Sequence, residues 1–218
     1  MKRKGIETPP AALARVQFIL ALDPGLKTGW ALLHLAPLER RDREDQIVES
    51  GVWKLGGSDS EARGERFAAF DDLLFDKLAE LQHGFIGGPQ GVPALLAYEN
   101  VLQRQAPYAA RMYGGILGLA LVNARAAGFA VAGVSPGQAK KMAGFKGNAK
   151  KGLLVIAART RWPEANLTDE NEIDARFIAL AAGDLIRRGE NFSHFEAAPS
   201  CSRSDTPTQS FDSPRASV

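Results

Sequence analysis

The chain has almost no cysteine: Cys201 is the only one among 218 residues, and it lies in a polar C-terminal stretch. One cysteine cannot form an internal disulfide, so we expect a reducing, cytoplasmic environment. The chain also lacks an apolar run of the roughly 20 residues that a membrane-spanning helix needs. Near Met1, proline and glutamate take the place of the apolar core of a secretion signal. The sequence therefore predicts a protein with no membrane partner.

Other features are missing too. No Ser/His/Asp pattern, paired cysteines or phosphate-loop glycine motif is present, which argues against a triad hydrolase, a zinc site and a P-loop nucleotidase. Because the net charge is only +2, the overall charge says little about partners. A hydrophobic content of 45% is enough for one well-packed domain. We expect a flexible leader over 1–14, the domain over 15–189 and a disordered, Ser/Pro-rich tail over 190–218.

Hydrophobic periodicity predicts the order of the elements. The apolar runs 16–22 and 30–35 predict a hairpin, because Pro24 and Gly25 turn the chain between them. Further strands are predicted at 47–55, 94–98 and 129–134, and helices at 61–81, 108–127, 139–143, 150–162 and 168–188. This order predicts an α/β protein with a mixed five-stranded sheet flanked by helices, which is the layout of the ribonuclease H-like fold.

Carboxylates follow this framework at three places. Asp23 ends the first strand, Glu99 ends the fourth, and Asp174 begins the apolar stretch of the last helix. Each alone is equally well explained as a turn residue, a polar strand end or a capped helix start, where Asp169 and Glu172 fit a capping box. Together they fit a nuclease site, because Mg²⁺ prefers oxygen ligands and two such ions about 4 Å apart stabilise both oxygens of a phosphodiester displacement.

The segment 135–162 has seven basic residues and no acidic one, which the overall charge conceals. Such a segment suits phosphate contacts, although an ordinary exposed lysine face explains it as well. Arg104, just after Glu99, is a further candidate for contact with a nucleic-acid strand, although a plain loop explains this stretch better. The candidate DNA-binding residues are Lys140, Lys141, Lys146, Lys150, Lys151 and Arg104.

Four motifs follow one another over about 16–189. They are Leu22-Asp23-Pro24-Gly25 with Thr28-Gly29-Trp30-Ala31; Tyr98-Glu99-Asn100-Val101; Ser135-Pro136 with Lys140 and Gly147-Asn148-Ala149-Lys150-Lys151; and Asn171-Glu172-Ile173-Asp174-Ala175. Each motif is weak alone, but their order and spacing are fairly specific. Together they resemble the motifs of the RuvC-like Holliday junction resolvases of the ribonuclease H-like superfamily, especially the short forms of phages and prophages.

The resemblance implies a metal-dependent endodeoxyribonuclease in a bacterial or phage-infected cell. Asp23, Glu99 and Asp174 would be catalytic and bind Mg²⁺, for which Mn²⁺ can substitute, and Lys151 would act near the scissile phosphate. It also implies a homodimer on a four-way DNA junction, where two identical sites make paired nicks. The glycine-containing helix 108–127 is our candidate for part of the dimer contact.

One position departs from the family pattern. Asn171 stands where the family's last motif has its first acid. Three alternatives follow: Asn171 is a neutral oxygen ligand, Glu170 replaces it, or three carboxylates suffice. Two other functions also stay open. The protein could be a nuclease of the same fold acting on RNA–DNA hybrid or flap DNA, or a catalytically inactive protein that binds branched DNA.

Overall fold

A computed structural model describes residues 13–36, 44–56, 63–82, 94–101, 106–145 and 151–198. After a 3₁₀ turn at Leu13–Arg15, strands and helices follow in nearly the predicted order. The strands are β1 (Phe18–Asp23), β2 (Lys27–His34), β3 (Gln46–Lys54), β4 (Ala94–Glu99), β5 (Ala130–Val134) and β6 (His194–Glu196). The helices are α1 (Arg63–Glu80), α2 (Pro107–Ala126), α3 (Pro136–Met142), α4 (Lys151–Arg161) and α5 (Glu170–Arg188).

The strands form one sheet in the order β3-β2-β1-β4-β5-β6. β1, β2 and β3 are antiparallel neighbours, whereas β1, β4 and β5 run parallel, so the sheet is mixed as predicted. The predicted number of five strands is wrong, because β6 pairs antiparallel with the edge of β5. β6 lies inside the tail that we expected to be disordered from residue 190. Residues 1–12 of the predicted leader and 199–218 of the predicted tail lie outside the described residues.

Helices cover both faces of the sheet. Helices α1 and α2 pack on the face that carries Leu20 and Leu22, while α3, α4 and α5 pack on the face that carries Ile19 and Ala21. Side chains alternate between the faces of a strand, so Asp23, two residues after Ala21, falls on the face of α5. The same alternation along β4 places Glu99 on that face.

Helix α5 packs unusually close to the sheet. A Cβ added to Gly29 on β2 would lie 1.9 Å from the carbonyl oxygen of Asn171, so the first turn of α5 lies directly on that glycine. The helix ends at Gly189, whose left-handed backbone (φ 63°) suits glycine. Across the described part of the chain, no helix is both long and apolar enough to cross a membrane.

The starts of helices α3 and α5 show how capping compares with the prediction. Helix α3 begins at Pro136, three residues earlier than predicted, because Ser135 and Gln138 form a reciprocal capping box and proline suits the first helical position. Helix α5 has Asp169 at its N-cap, as predicted, and the Asp169 carboxylate accepts the N–H of Asn171 at 2.9 Å. Glu172 bonds to Ser50 instead of completing the predicted box.

Candidate active site

Four of the predicted site residues line one cleft of about 160 Å³ between the sheet and helices α3, α4 and α5. They are Asp23 from β1, Glu99 from β4, Asp174 from α5 and Lys140 from α3, and all four side chains are half-buried. The apolar part of the wall consists of Pro136, Ala139, Leu154 and Ile178. The structure therefore brings together three carboxylates that lie more than 70 residues apart along the chain.

Asp23 is placed by the end of β1 and the turn that follows. Its backbone pairs with Gly29 in the β1–β2 ladder. The fully buried Thr28 closes the turn, because its hydroxyl donates to the carbonyl of Gly25 at 2.7 Å and accepts the Gly25 N–H at 3.3 Å. A turn tied in this way leaves the aspartate at a defined point on the sheet edge.

Glu99 is placed by the neighbouring strand. The parallel β1–β4 register runs to Leu22 and Tyr98, so Asp23 and Glu99 are the next residues of two adjacent strands, which are separated by about 4.8 Å. The carbonyl of Glu99 accepts the hydroxyl of Tyr113 on α2 at 2.7 Å. Two acids on one face at the carboxyl ends of parallel strands thus form one wall of the cleft.

Asp174 is placed by the docking of α5. The close packing of α5 against Gly29 determines the distance between the helix and the sheet. Ser50 on β3 holds the first turns of the helix in place through two hydrogen bonds. The Ser50 hydroxyl donates to Glu172 at 2.5 Å and accepts from the Arg176 guanidinium at 2.8 Å. That guanidinium also lies 5.1 Å from the ring of Trp162. Glu172 therefore anchors the helix, while Asp174 lies in the cleft.

The two candidates for a fourth ligand differ in their surroundings. The Asn171 side-chain amide donates to Asp169 at 2.8 Å, so it supports the helix cap. Glu170 is exposed and lines a small depression together with Asp174, one helical turn away. Desolvation raises the pKa of Asp169, but the hydrogen bonds from Asn171 and the charges of Lys27 and Lys54 outweigh it, so the net shift is downward.

The donor set fits a hard divalent cation, because it consists of carboxylates from separate elements facing one cleft. Among the residues that the structure describes, no three His, Cys, Asp or Glu side chains already stand in metal-binding geometry. The site therefore offers the right ligand chemistry, with the three carboxylates sharing a cleft but not gathered around one point.

The basic residues are only partly described. Lys140 lines the cleft and Lys141 is exposed on α3. Lys151 is the first residue of α4, one turn before Leu154 in the cleft wall, and its side chain lies outside the described part. The predicted DNA contacts at Lys146, Lys150 and Arg104 lie outside the described residues.

Sequence reasoning gave no role at the site to Pro136, Tyr113 or Ser50. Ser135-Pro136 followed by Gln138 is a helix-start signature, and it could have placed the start of α3 correctly. Tyr113 and Ser50 carry no such signal, because their partners Glu99 and Glu172 are distant in sequence and meet them only in the folded chain.

No family model matches the chain. Among curated relatives, the crossover junction endodeoxyribonuclease RuvC of Mesorhizobium japonicum is 27% identical over 163 residues, covering 74% of this chain and 86% of the relative. The enzyme of the same name from Bradyrhizobium sp. (strain ORS 278) is 24% identical over 163 residues, covering 74% and 83%. Both relatives are thus matched over most of their length.

Solved structures show the same fold. The Thermus thermophilus RuvC structure superposes with a TM-score of 0.62 at 23% identity, covering 79% of this chain and 96% of that one. The T. thermophilus RuvC in complex with a Holliday junction substrate gives a TM-score of 0.61 at 20% identity, covering the same shares.

The mixed sheet and its flanking helices give the chain a ribonuclease H-like fold, which the solved structures share. The similarity to curated RuvC enzymes shows homology with the RuvC-like Holliday junction resolvases, as the resemblance of its motifs predicted. The matched relatives are bacterial enzymes, and the expected likeness to phage forms stays a prediction.

Proposed function

We propose that this protein is a metal-dependent endodeoxyribonuclease that resolves Holliday junctions and related branched DNA by paired cleavage of phosphodiester bonds. The single observation that carries the proposal is the cleft shared by Asp23, Glu99 and Asp174 at the carboxyl ends of two parallel strands. The names of its relatives support the choice of substrate, since both are crossover junction endodeoxyribonucleases. The enzyme would act in the cytoplasm, where bacterial DNA lies.

Asp23, Glu99 and Asp174 would hold Mg²⁺, with Mn²⁺ able to replace it. A divalent cation bound there would supply positive charge to stabilise the attacking and leaving oxygens of the phosphodiester. The three carboxylates would have to turn toward one another to share it, since no three acidic side chains in the described part of the chain already stand in metal-binding geometry. Glu170 is our choice for a fourth ligand, because it lies beside Asp174 while the Asn171 amide bonds to Asp169.

The basic residues would bind and orient the DNA. Lys140 lines the cleft, so its ammonium group could pair with a phosphate bound against the carboxylates. We assign the corresponding role at the scissile phosphate to Lys151 by its match to the family motif. Exposed cations such as Lys141 would add affinity that does not depend on sequence and weakens with salt.

A homodimer is part of the proposal, because two identical sites are needed to nick a four-way junction symmetrically. Helix α2 is our candidate for part of the contact. Gly114, Gly118 and Val122 lie four residues apart, Val122 is 69% exposed, and the space beside both glycines is open. A partner helix could approach such a surface closely. Sedimentation equilibrium of the purified protein tests the stoichiometry.

The decisive experiment incubates purified protein with a synthetic four-way junction, a flap, a linear duplex and an RNA–DNA hybrid, each with and without Mg²⁺. We expect paired nicks in the junction that require the metal. Asp23→Asn should abolish cleavage but retain junction binding, whereas Asp184→Asn, which removes an α5 carboxylate that pairs with Arg188 away from the cleft, should cleave like the wild type.

The outcomes separate the alternatives. Preferred cleavage of hybrid or flap DNA would assign the same site to another substrate. Junction binding without nicking in either Mg²⁺ or Mn²⁺ would indicate a catalytically inactive protein. For the fourth ligand, Glu170→Gln should raise the Mg²⁺ concentration needed for half-maximal cleavage, whereas Asn171→Ala should not.

A further inference from the structure

We propose that Tyr113 on α2 is a positioning residue that fixes the backbone of Glu99 on the cleft wall, an inference that rests on the proposed function of that site. Its hydroxyl donates to the carbonyl of Glu99 at 2.7 Å and accepts the N–H of Val101 at 3.3 Å. One side-chain oxygen thus bridges the residues on both sides of Asn100, directly after the end of β4.

The backbone pairing of β4 runs out within one residue of Glu99, and the Tyr113 hydroxyl adds a contact at that point. On one side, the parallel register with β1 runs to Leu22 and Tyr98. On the other side, the register with β5 ends at Glu99 and Val134, after which the N–H of Asn100 donates to the Val134 carbonyl at 2.8 Å. Beyond this point the Tyr113 hydroxyl bonds to the backbone of Glu99 and Val101. Tyr113 belongs to α2, which packs on the face of the sheet opposite to the cleft.

The helix that carries Tyr113 is itself fixed. Its neighbour Met112 and Ile116, one turn on, are buried against the sheet. A Cβ added to Gly115 would lie 2.4 Å from the ring of Phe67, so α2 also packs tightly against α1. A hydroxyl presented by a rigid helix can hold a strand end more precisely than a residue on a loop could.

The hydroxyl keeps its proton under working conditions. Burial raises the pKa of Tyr113, and the negative charges of Glu99 and Asp23 raise it further, although the hydrogen bond from Val101 acts in the opposite direction. Tyr113 therefore remains a donor to the Glu99 carbonyl at neutral pH.

The test measures Mn²⁺ affinity of the purified full-length protein by electron paramagnetic resonance of the free ion, which needs no DNA and no turnover. Tyr113→Phe removes only the bridging oxygen. Tyr108→Phe is the matched control, because Tyr108 lies on the same helix and its hydroxyl bonds to Arg66. We expect Tyr113→Phe to weaken Mn²⁺ binding about tenfold, the low end of the effect of outer-shell partners. Tyr108→Phe should bind like the wild type.

In cleavage assays, Tyr113→Phe should lower kcat while KM for the junction stays unchanged, since the hydroxyl contacts the backbone of a metal ligand and not the DNA. Thermal unfolding of each variant confirms that all measurements are made on folded protein. A purely structural role would lower the unfolding midpoint without this separation of kcat from KM.

Each outcome bears on a different statement. If the wild type binds no Mn²⁺, the proposed function fails, and the role of Tyr113 fails with it. If the wild type binds Mn²⁺ and Tyr113→Phe binds it equally well, the positioning role is wrong while the metal site stands. An equal loss in Tyr108→Phe would also overturn the role, because the effect would then belong to the helix in general.

Discussion

Replacing Gly29 by alanine should slow DNA cleavage strongly although it changes no acidic residue. The added Cβ would lie 1.9 Å from the carbonyl oxygen of Asn171 and 2.3 Å from its carbonyl carbon, whereas ordinary contact begins near 3.4 Å. Both atoms belong to backbone, so no side chain can rotate away. Either β2 or the first turn of α5 must shift by roughly 1.5 Å, the difference between these two distances.

That shift would act on the site through Asp174, which lies one turn further along α5. Overpacking of this kind typically costs about 1–3 kcal/mol of the free energy of unfolding. A displacement of about 1 Å in a reacting group can cost about 100-fold in rate. We therefore expect Gly29→Ala to lower the unfolding midpoint by several degrees and to reduce junction cleavage about 100-fold, measured below that midpoint.

The control is Gly64→Ala on α1, where an added Cβ meets no atom within 4 Å. Alanine is the better helix former, so this variant should be as stable as the wild type or slightly more stable, with unchanged cleavage. Wild-type stability and cleavage in Gly29→Ala would refute the reasoning, because the close approach of α5 would then not determine the position of Asp174.

Two further predictions concern β6 and its contact with Tyr98. Burial raises the pKa of Tyr98 to about 12, above its ordinary value of 10.0, so the folded state holds the phenol proton more tightly than the unfolded state. The resulting stability, at most about 3 kcal/mol, is complete below pH 10 and should be lost as the pH rises toward 12. Urea unfolding across that range should show a shallower loss in Tyr98→Phe than in the wild type. Deleting residues 190–218 should lower the free energy of unfolding by roughly 2–4 kcal/mol, because three hydrogen bonds are lost. One joins the Tyr98 hydroxyl to His194, and the other two join the Ser193 hydroxyl to Gly133 and to Asn100. Deleting only 199–218 keeps β6 and these bonds, so this variant should unfold at a higher midpoint than the longer deletion. Equal midpoints for the two truncations would contradict a structural role for β6.

Much of the fold follows from local patterns that a single sequence displays. Asp23 and Glu99 each end an apolar run that predicts a strand, and each is the last residue of a strand in the structure. The amphipathic spacing of α1 and the cap at Asp169 likewise depend on residues that are close in sequence. These predictions are confirmed because the signal and the structure share the same few residues.

The errors arise where polar residues have distant partners. Glu172 fits a capping box by its spacing from Asp169. In the folded chain, however, its carboxylate accepts a hydrogen bond from the hydroxyl of Ser50, which is 122 residues away. Similarly, His194 and Glu196 lie in a polar stretch that has no hydrophobic periodicity. They form a strand because their backbone pairs with the edge of β5. Local composition carries no information about such partners.

The sequence by itself determined the order of strands and helices, the acids at their ends and the likeness to a family, because periodicity and motif spacing are properties of the chain alone. Only the tertiary structure decided how closely α5 packs against Gly29 and that Tyr113 bonds to the end of β4. It also decided that the Asn171 amide bonds to Asp169, while Glu170 lies beside Asp174. Those facts depend on contacts between backbones and side chains that packing brings together, and packing distances are not written in any local pattern.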